Sequence, residues 1–128
     1  MSHFNNLSNK INYKKITKKI TDLMLDKKAL KIKIIDVKKI TTLTDCFIIC
    51  TSESDPQTRA IMNHINKEIF KKFSIKPLHI EGNDPLNWVL IDYVHIVVNI
   101  FNKKARDYYN IERLWADAKI TTISESSK

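Results

Sequence analysis

Residues 81–101 read EGNDPLNWVLIDYVHIVVNIF. They contain the chain's one glycine, Gly82, and then, from Trp88 onward, fourteen residues with almost nothing to stop a strand. One strand of that length would run about 46 Å at ~3.3 Å per residue, far beyond ordinary strands. The run must therefore fold back. Its least apolar point is 92–95, which predicts two tightly joined antiparallel strands, 88–92 and 95–101. A period of two puts Trp88, Leu90 and Asp92 on one face and Val89, Ile91 and Tyr93 on the other. Both faces carry bulk, so one is core and the other is an apolar patch with an aromatic residue beside a loop. Such patches often serve as binding anchors.

Working outward, Tyr13, Ile16, Ile20, Leu23 and Met24 recur at spacings of three and four with lysines opposite. This predicts an amphipathic helix over about 8–28, with Ser8 as its cap. LKIKII alternates as a strand and shifts phase at Ile34 and Ile35, which implies a bulge or burial on both faces. CFIICT reads as a continuous apolar strand in mid-sheet. In TSESDPQTR, Ser54 or Asp55 caps a helix, Pro56 suits its first turn and Gln57 completes a capping box. Met62, Ile65, Ile69 and Phe73 share one face of that helix, which ends before Pro77. A short strand at LHIE precedes a loop closed by Pro85. KKARDYYNIERLWADA reads as one or two short helices, with Asn110 as a cap and Trp115 as a core plug. The order is α-β-β-α-β-β-β-α. The fold class is α/β: one domain over residues 1–120, a mixed five-stranded sheet flanked by helices, then a polar tail at 121–128. A crossover from CFIICT to LHIE is right-handed if those strands are parallel in one sheet.

A chain of 128 residues buries enough surface for one core without staples. Cys46 and Cys50, about 13 Å apart along a strand, are too distant for a disulfide or a shared zinc and read as small buried hydrophobes. That usage fits a reducing cytosol. No apolar run approaches the ~20 residues of a membrane span, and MSHFNNLSNK lacks a signal-peptide core, so the expected location is the cytoplasm. The net charge is +8. Residues 1–40 hold eleven lysines against three aspartates, whereas the remainder balances. That basic third is either a solvated helix face or a surface that meets a polyanion such as RNA. Few aromatics interleave with it, which disfavours RNA binding as the sole activity.

LTDCFIICTSESD, PLHIEGND, WVLIDY with its following apolar strand, and YYNIERLW together carry a resemblance. In order and spacing they are similar to the ribosomal silencing factor (RsfS, Iojap-like) family over residues 12–117. The resemblance implies a nucleotidyltransferase-like topology without enzyme activity. It also implies a factor that binds ribosomal protein L fourteen on the large ribosomal subunit and sterically blocks subunit joining, repressing translation when nutrients are scarce. The partner contact it implies involves Trp88, Leu90, Asp92 and Tyr93. No cofactor, metal, membrane or small-molecule substrate is expected, and the lysine-rich first helix offers a secondary contact to rRNA. The chain departs from the family pattern at Val94 and His95, where Gly and Asp are common, and at Asn99, where His is usual. Val94 implies a turn in which no residue needs positive φ.

The runner-up readings are a basic RNA-binding module and a nucleotidyltransferase-like enzyme. Phosphoryl transfer of that kind uses carboxylates one residue apart on a strand face. Asp92 is flanked at that spacing by Leu90 and Val94, and Asp36 by Ile34 and Lys38. Gly82 stands alone, so no phosphate cradle is present. His64 and Glu68, one turn apart, read as a surface pair. Glu112, Arg113 and Asp117 read as an ion-pair face, and Asp45 as a turn residue bonding backbone amides.

Overall fold

The computed structural model describes residues 2–82 and 87–124, with side chains from residue 13 onward. The expected loop proline, Pro85, and the end of the tail at 125–128 lie outside the described residues.

The chain runs α1 (Ser2–Asp26), β1 (Leu30–Asp36), β2 (Cys46–Ser52), α2 (Asp55–Phe73), β3 (His79–Glu81), β4 (Trp88–Asp92), β5 (Ile96–Asn102), α3 (Lys103–Tyr109), α4 (Ile111–Leu114) and β6 (Lys119–Thr122). The sheet has six strands in the order β3-β4-β5-β2-β1-β6, not five. The additional strand straddles the expected boundary between domain and polar tail, so the sheet takes in the first two tail residues, 121 and 122. Lys119–Thr122 pairs antiparallel with β1, and Ile120 lies opposite the fully buried Ile35. One inward isoleucine and a β1 edge seeking hydrogen bonds hold this otherwise exposed segment. α1 also starts earlier than predicted, so Ser8 lies within the helix and does not cap it.

β2 and β5 are parallel, and the other pairs are antiparallel. The crossover from β2 through α2 reaches β3, which points the same way as β2 but is not its neighbour. The β4–β5 hairpin fills the gap and sets β5 against β2. That is why CFIICT and HIVVNIF are both nearly continuous apolar runs: these central strands are buried on both faces.

On one face, α1 and α2 cover Ile48, Cys50, Val89, Ile91, Val98 and Ile100. The predicted faces of both helices meet them, with Ile20, Met24, Ile61, Ile65 and Ile69 fully buried. Ser54 caps α2 as predicted, its Oγ accepting from Gln57 N at 3.2 Å, but the return bond departs from the predicted capping box, because Gln57 Oε1 accepts from Glu53 N at 2.6 Å, one residue before the cap. Gln57 Nε2 also donates to the carbonyls of Lys27 and Lys28, tying the helix to the α1–β1 turn. In β1, Ile34 faces this layer and Ile35 the opposite one, so both faces are buried there. The bulge lies earlier, between Leu30 and Lys33, with Lys31 at φ 50°.

On the other face a second cluster holds Ile35, Val37, Ile49, Phe101, Ala105 and Ile111, with Phe47, Trp88 and Trp115 at its margin. Trp115 is the plug its position suggested, 5.5 Å from the Phe47 ring. Asn110 separates the two short helices at φ 45° and makes no side-chain cap. Cys46 and Cys50 are buried and free. Burial pushes their thiols up to about 11 and about 12, so both are poor nucleophiles.

Candidate functional site

The two sheet faces are covered unequally. α3, α4 and the segment around Trp115 shield the β1–β2–β5 end of the second face and stop there. Beyond them β4 alternates half-buried and buried, with Trp88, Leu90 and Asp92 on the open side. Val97 and Phe47 continue the same side across β5 and β2, opposite Asp92 and Ile35 respectively, and are also half-buried. The result is a half-buried apolar strip on the strands, with Tyr109 of α3 against its Trp88 end and Trp115 against its Phe47 end.

Trp88 forms the end of this strip. Its ring lies 5.0 Å from that of Phe101 and 4.6 Å from that of Tyr109, centroid to centroid. Tyr108 stands edge-on to Tyr109 at 5.0 Å and is largely exposed, as is Leu114. The indole Nε1 donates to Asn99 Oδ1 at 2.9 Å. Asn99 is 1% exposed on an otherwise apolar strand. A buried amide needs a partner, so this bond fixes the indole plane. Trp88 is therefore braced by Asn99, Phe101 and Tyr109 and remains half-buried at the margin of the second cluster.

Asp92 ends the strip. Its Oδ1 accepts from Val94 N at 2.7 Å, and its Oδ2 lies 3.9 Å from His79 Nδ1. The turn it supports differs from expectation, because Val94 has φ 75°, the region a β-branched residue avoids. His95 N donates to Tyr93 O at 2.9 Å across it, which makes a γ-turn. Thr44 Oγ1 donates to Val94 O at 2.9 Å, and His95 O accepts from both Asp45 N and Cys46 N. These bonds hold the turn in place of a glycine. The Asp45 carboxylate lies 3.4 Å from His95 Nδ1 and not on backbone amides as predicted.

Tyr93 is separated from the other three predicted contact residues. It lies on the α1–α2 face, 8% exposed, with a buried hydroxyl that has no partner among the described residues. Burial pushes that hydroxyl up to about 12. Strand alternation is the reason: an odd-numbered neighbour of Asp92 must point to the opposite face. Sequence reasoning missed Phe47, Val97 and Tyr109, and singled out Asn99 only as a departure from the family pattern. A lone asparagine in HIVVNIF was the one available signal.

The charged residues fall elsewhere. Arg106, 5% exposed, donates to Glu112 through Nε and Nη2 at 3.0 and 3.1 Å and to Thr51 Oγ1 at 2.9 Å. Lys33 Nζ is 3.2 Å from Glu112 as well. The ion pairing thus links Glu112 to α3 and β1, not to Arg113 and Asp117. His64 bonds to Asp26 on α1 at 3.1 Å, not to Glu68. Among the described residues no cluster of three or more His, Cys, Asp or Glu could hold a metal, and no helix is long and apolar enough to cross a membrane.

Residues 10–128 match the family described as "Ribosomal silencing factor during starvation". The chain belongs to that family. It is 37% identical over 113 residues to the ribosomal silencing factor RsfS of Bacillus subtilis, covering 88% of this chain and 95% of that protein. It is also 33% identical over 95 residues to the chloroplastic protein Iojap of Arabidopsis thaliana, covering 73% of this chain and 38% of that protein. A crystal structure of a Chromobacterium violaceum protein superposes with a TM-score of 0.76 at 30% identity, covering 87% of this chain and 92% of that one. The ribosomal silencing factor fold and the family resemblance seen in the sequence are thereby established.

Proposed function

We propose that this silencing factor docks the open face of its sheet on ribosomal protein L fourteen of the large subunit and keeps the small subunit from joining. The observation that carries this reading is the half-buried, partly accessible apolar strip of Trp88, Leu90, Val97 and Phe47, ended by Asp92. Trp88, Leu90 and Asp92 make the contact, and Tyr93 supports the β4–β5 turn from beneath. The action is exclusion of volume, so it needs neither catalysis nor a cofactor, and it takes place in the cytoplasm.

Light scattering of subunit joining tests the proposal. Preincubation with the large subunit should inhibit joining, and preincubation with the small subunit should not. Trp88→Ala should weaken co-sedimentation with large subunits by about 2 kcal/mol, a typical hot-spot loss. A folded Trp88→Ala protein that co-sediments unchanged would remove Trp88 from the contact.

A secondary contact of α1 with rRNA is part of the same proposal, because Lys14, Lys15 and Lys18, with Lys38 and Lys39, are exposed. If it forms, affinity for the subunit falls steeply with salt, and charge reversal of Lys14 and Lys15 flattens that slope.

A further inference from the structure

β3 is the edge of the sheet, and the second half of α2 leaves an open groove beside it. Asn66, Lys67 and Phe70 line the groove on the helix side, and Lys76, Pro77 and Ile80 on the strand side. Its volume, about 560 Å³, is that of an ordinary ligand cleft. Phe70 is 48% exposed there, a large ring standing in water within a lysine-rich segment.

The charges on this side share one sign. After Asp55 in the first turn of α2, residues 56–80 carry Arg59, Lys67, Lys71, Lys72 and Lys76 against one carboxylate, Glu68. Glu68 is one turn beyond His64, which bonds to Asp26 of α1, so it sits on the flank of α2 away from β3. Glu81 follows Ile80 in the strand and therefore points to the opposite face, where it lies 3.2 Å from His79 Nε2. Lys67, Lys71 and Lys76 make no ion pair among the described residues. A solvated lysine face alone would ask for no partner; the ring sets this one apart. Lys76 Nζ stands 5.3 Å from the Phe70 ring centroid, so a cation and an aromatic plane are presented together. Asn63, Asn66, Lys67 and Phe70 recur at i, i+3, i+4 and i+7 of α2, which adds two side-chain amides to the same face.

We propose that this face of α2 and β3 binds single-stranded RNA. A base stacks on Phe70, its edge meets the amides of Asn63 and Asn66, and backbone phosphates are neutralised by Lys67, Lys71 and Lys76. An acidic protein strand fits less well, because pairing with the β3 edge would send every second side chain to the Glu81 face. RNA needs the groove face alone. The groove lies on the α1–α2 side of the sheet and the Trp88 strip on the other, so both can be occupied at once. The inference uses none of the α1 lysines and stands whether or not L fourteen is the partner.

The test uses the full isotope-labelled chain carrying Lys14→Glu and Lys15→Glu, which removes the α1 contact. It is titrated at low salt with an oligoadenylate about ten nucleotides long and followed by NMR and fluorescence anisotropy. Shifts should concentrate at 63–80. Phe70→Ala should weaken binding about tenfold without changing its salt dependence, and Phe70→Tyr should retain it. Lys67→Gln with Lys71→Gln should instead flatten the salt slope by about 0.7 per lysine. All three positions are exposed, so unchanged unfolding midpoints show that the variants keep the fold. No binding, shifts outside the groove, indifference to Phe70→Ala, or equally tight binding of a charge-matched oligoglutamate or of phosphatidylserine vesicles would overturn the proposal.

Discussion

Asn99 is the residue on which the candidate contact most depends without touching it. Asn99→Leu keeps the volume and removes the acceptor, so the indole N–H of Trp88 loses its bond inside the sheet. The expected loss of stability is about 1 to 3 kcal/mol, read from denaturant midpoints, together with a shift in tryptophan emission. Val94 presents the opposite case. It holds φ 75° without being glycine, and such strain costs on the order of 1 to 3 kcal/mol. Val94→Gly should therefore raise the midpoint by about 1 kcal/mol after the added chain entropy of glycine is offset. Gly82 needs no positive φ. A Cβ there would meet Val89 Cγ2 at 2.8 Å, so Gly82→Ala should destabilise by about 1 to 3 kcal/mol through overpacking between β3 and β4.

Among the elements, α3 and α4 are the least self-sufficient, having seven and four residues. Their attachment runs through Arg106, whose guanidinium is buried and held by Glu112 and Thr51. Glu112→Gln removes the counter-charge from that cation, and a loss of about 3 kcal/mol is expected in thermal or chemical unfolding. Burial pushes the Glu112 carboxyl up, but the hydrogen bonds and charges of Arg106 and Lys33 outweigh it and hold the group below its usual 4.5. Folding thus favours the ionised form. The stability this contributes is complete above about 4.5 and drains as pH falls through the lower folded value. Melting temperatures between pH 5 and pH 3 should fall less steeply in Glu112→Gln than in the parent. The helices α1 and α2 were legible because their apolar spacing is regular. β6 was not, because its pairing depends on a β1 edge that is distant in sequence.

For the whole molecule, the functional argument reduces to which part of a two-faced sheet the helices fail to cover. Two long amphipathic helices pack on one face, and two short ones with Trp115 pack on the other, leaving the β4 residues Trp88, Leu90 and Asp92 half-buried. The apolar strip that remains lies on β4, β5 and β2, so a partner meets a rigid surface and little ordering entropy is lost on binding. This predicts that Leu90→Lys, a substitution on the open side, leaves the unfolding midpoint within about 0.5 kcal/mol while abolishing co-sedimentation with large subunits.

Local periodicity determined the helices, the central strands, the fold-back after Asp92 and the capping of α2, because each depends on residues a few positions apart. The four motifs carried the family. Strand order, the seating of β5 beside β2, the sixth strand and the bond from Trp88 to Asn99 were decided only by the folded chain. Each of these depends on neighbours brought together across the sheet, and no spacing along the chain encodes which strand will lie beside which.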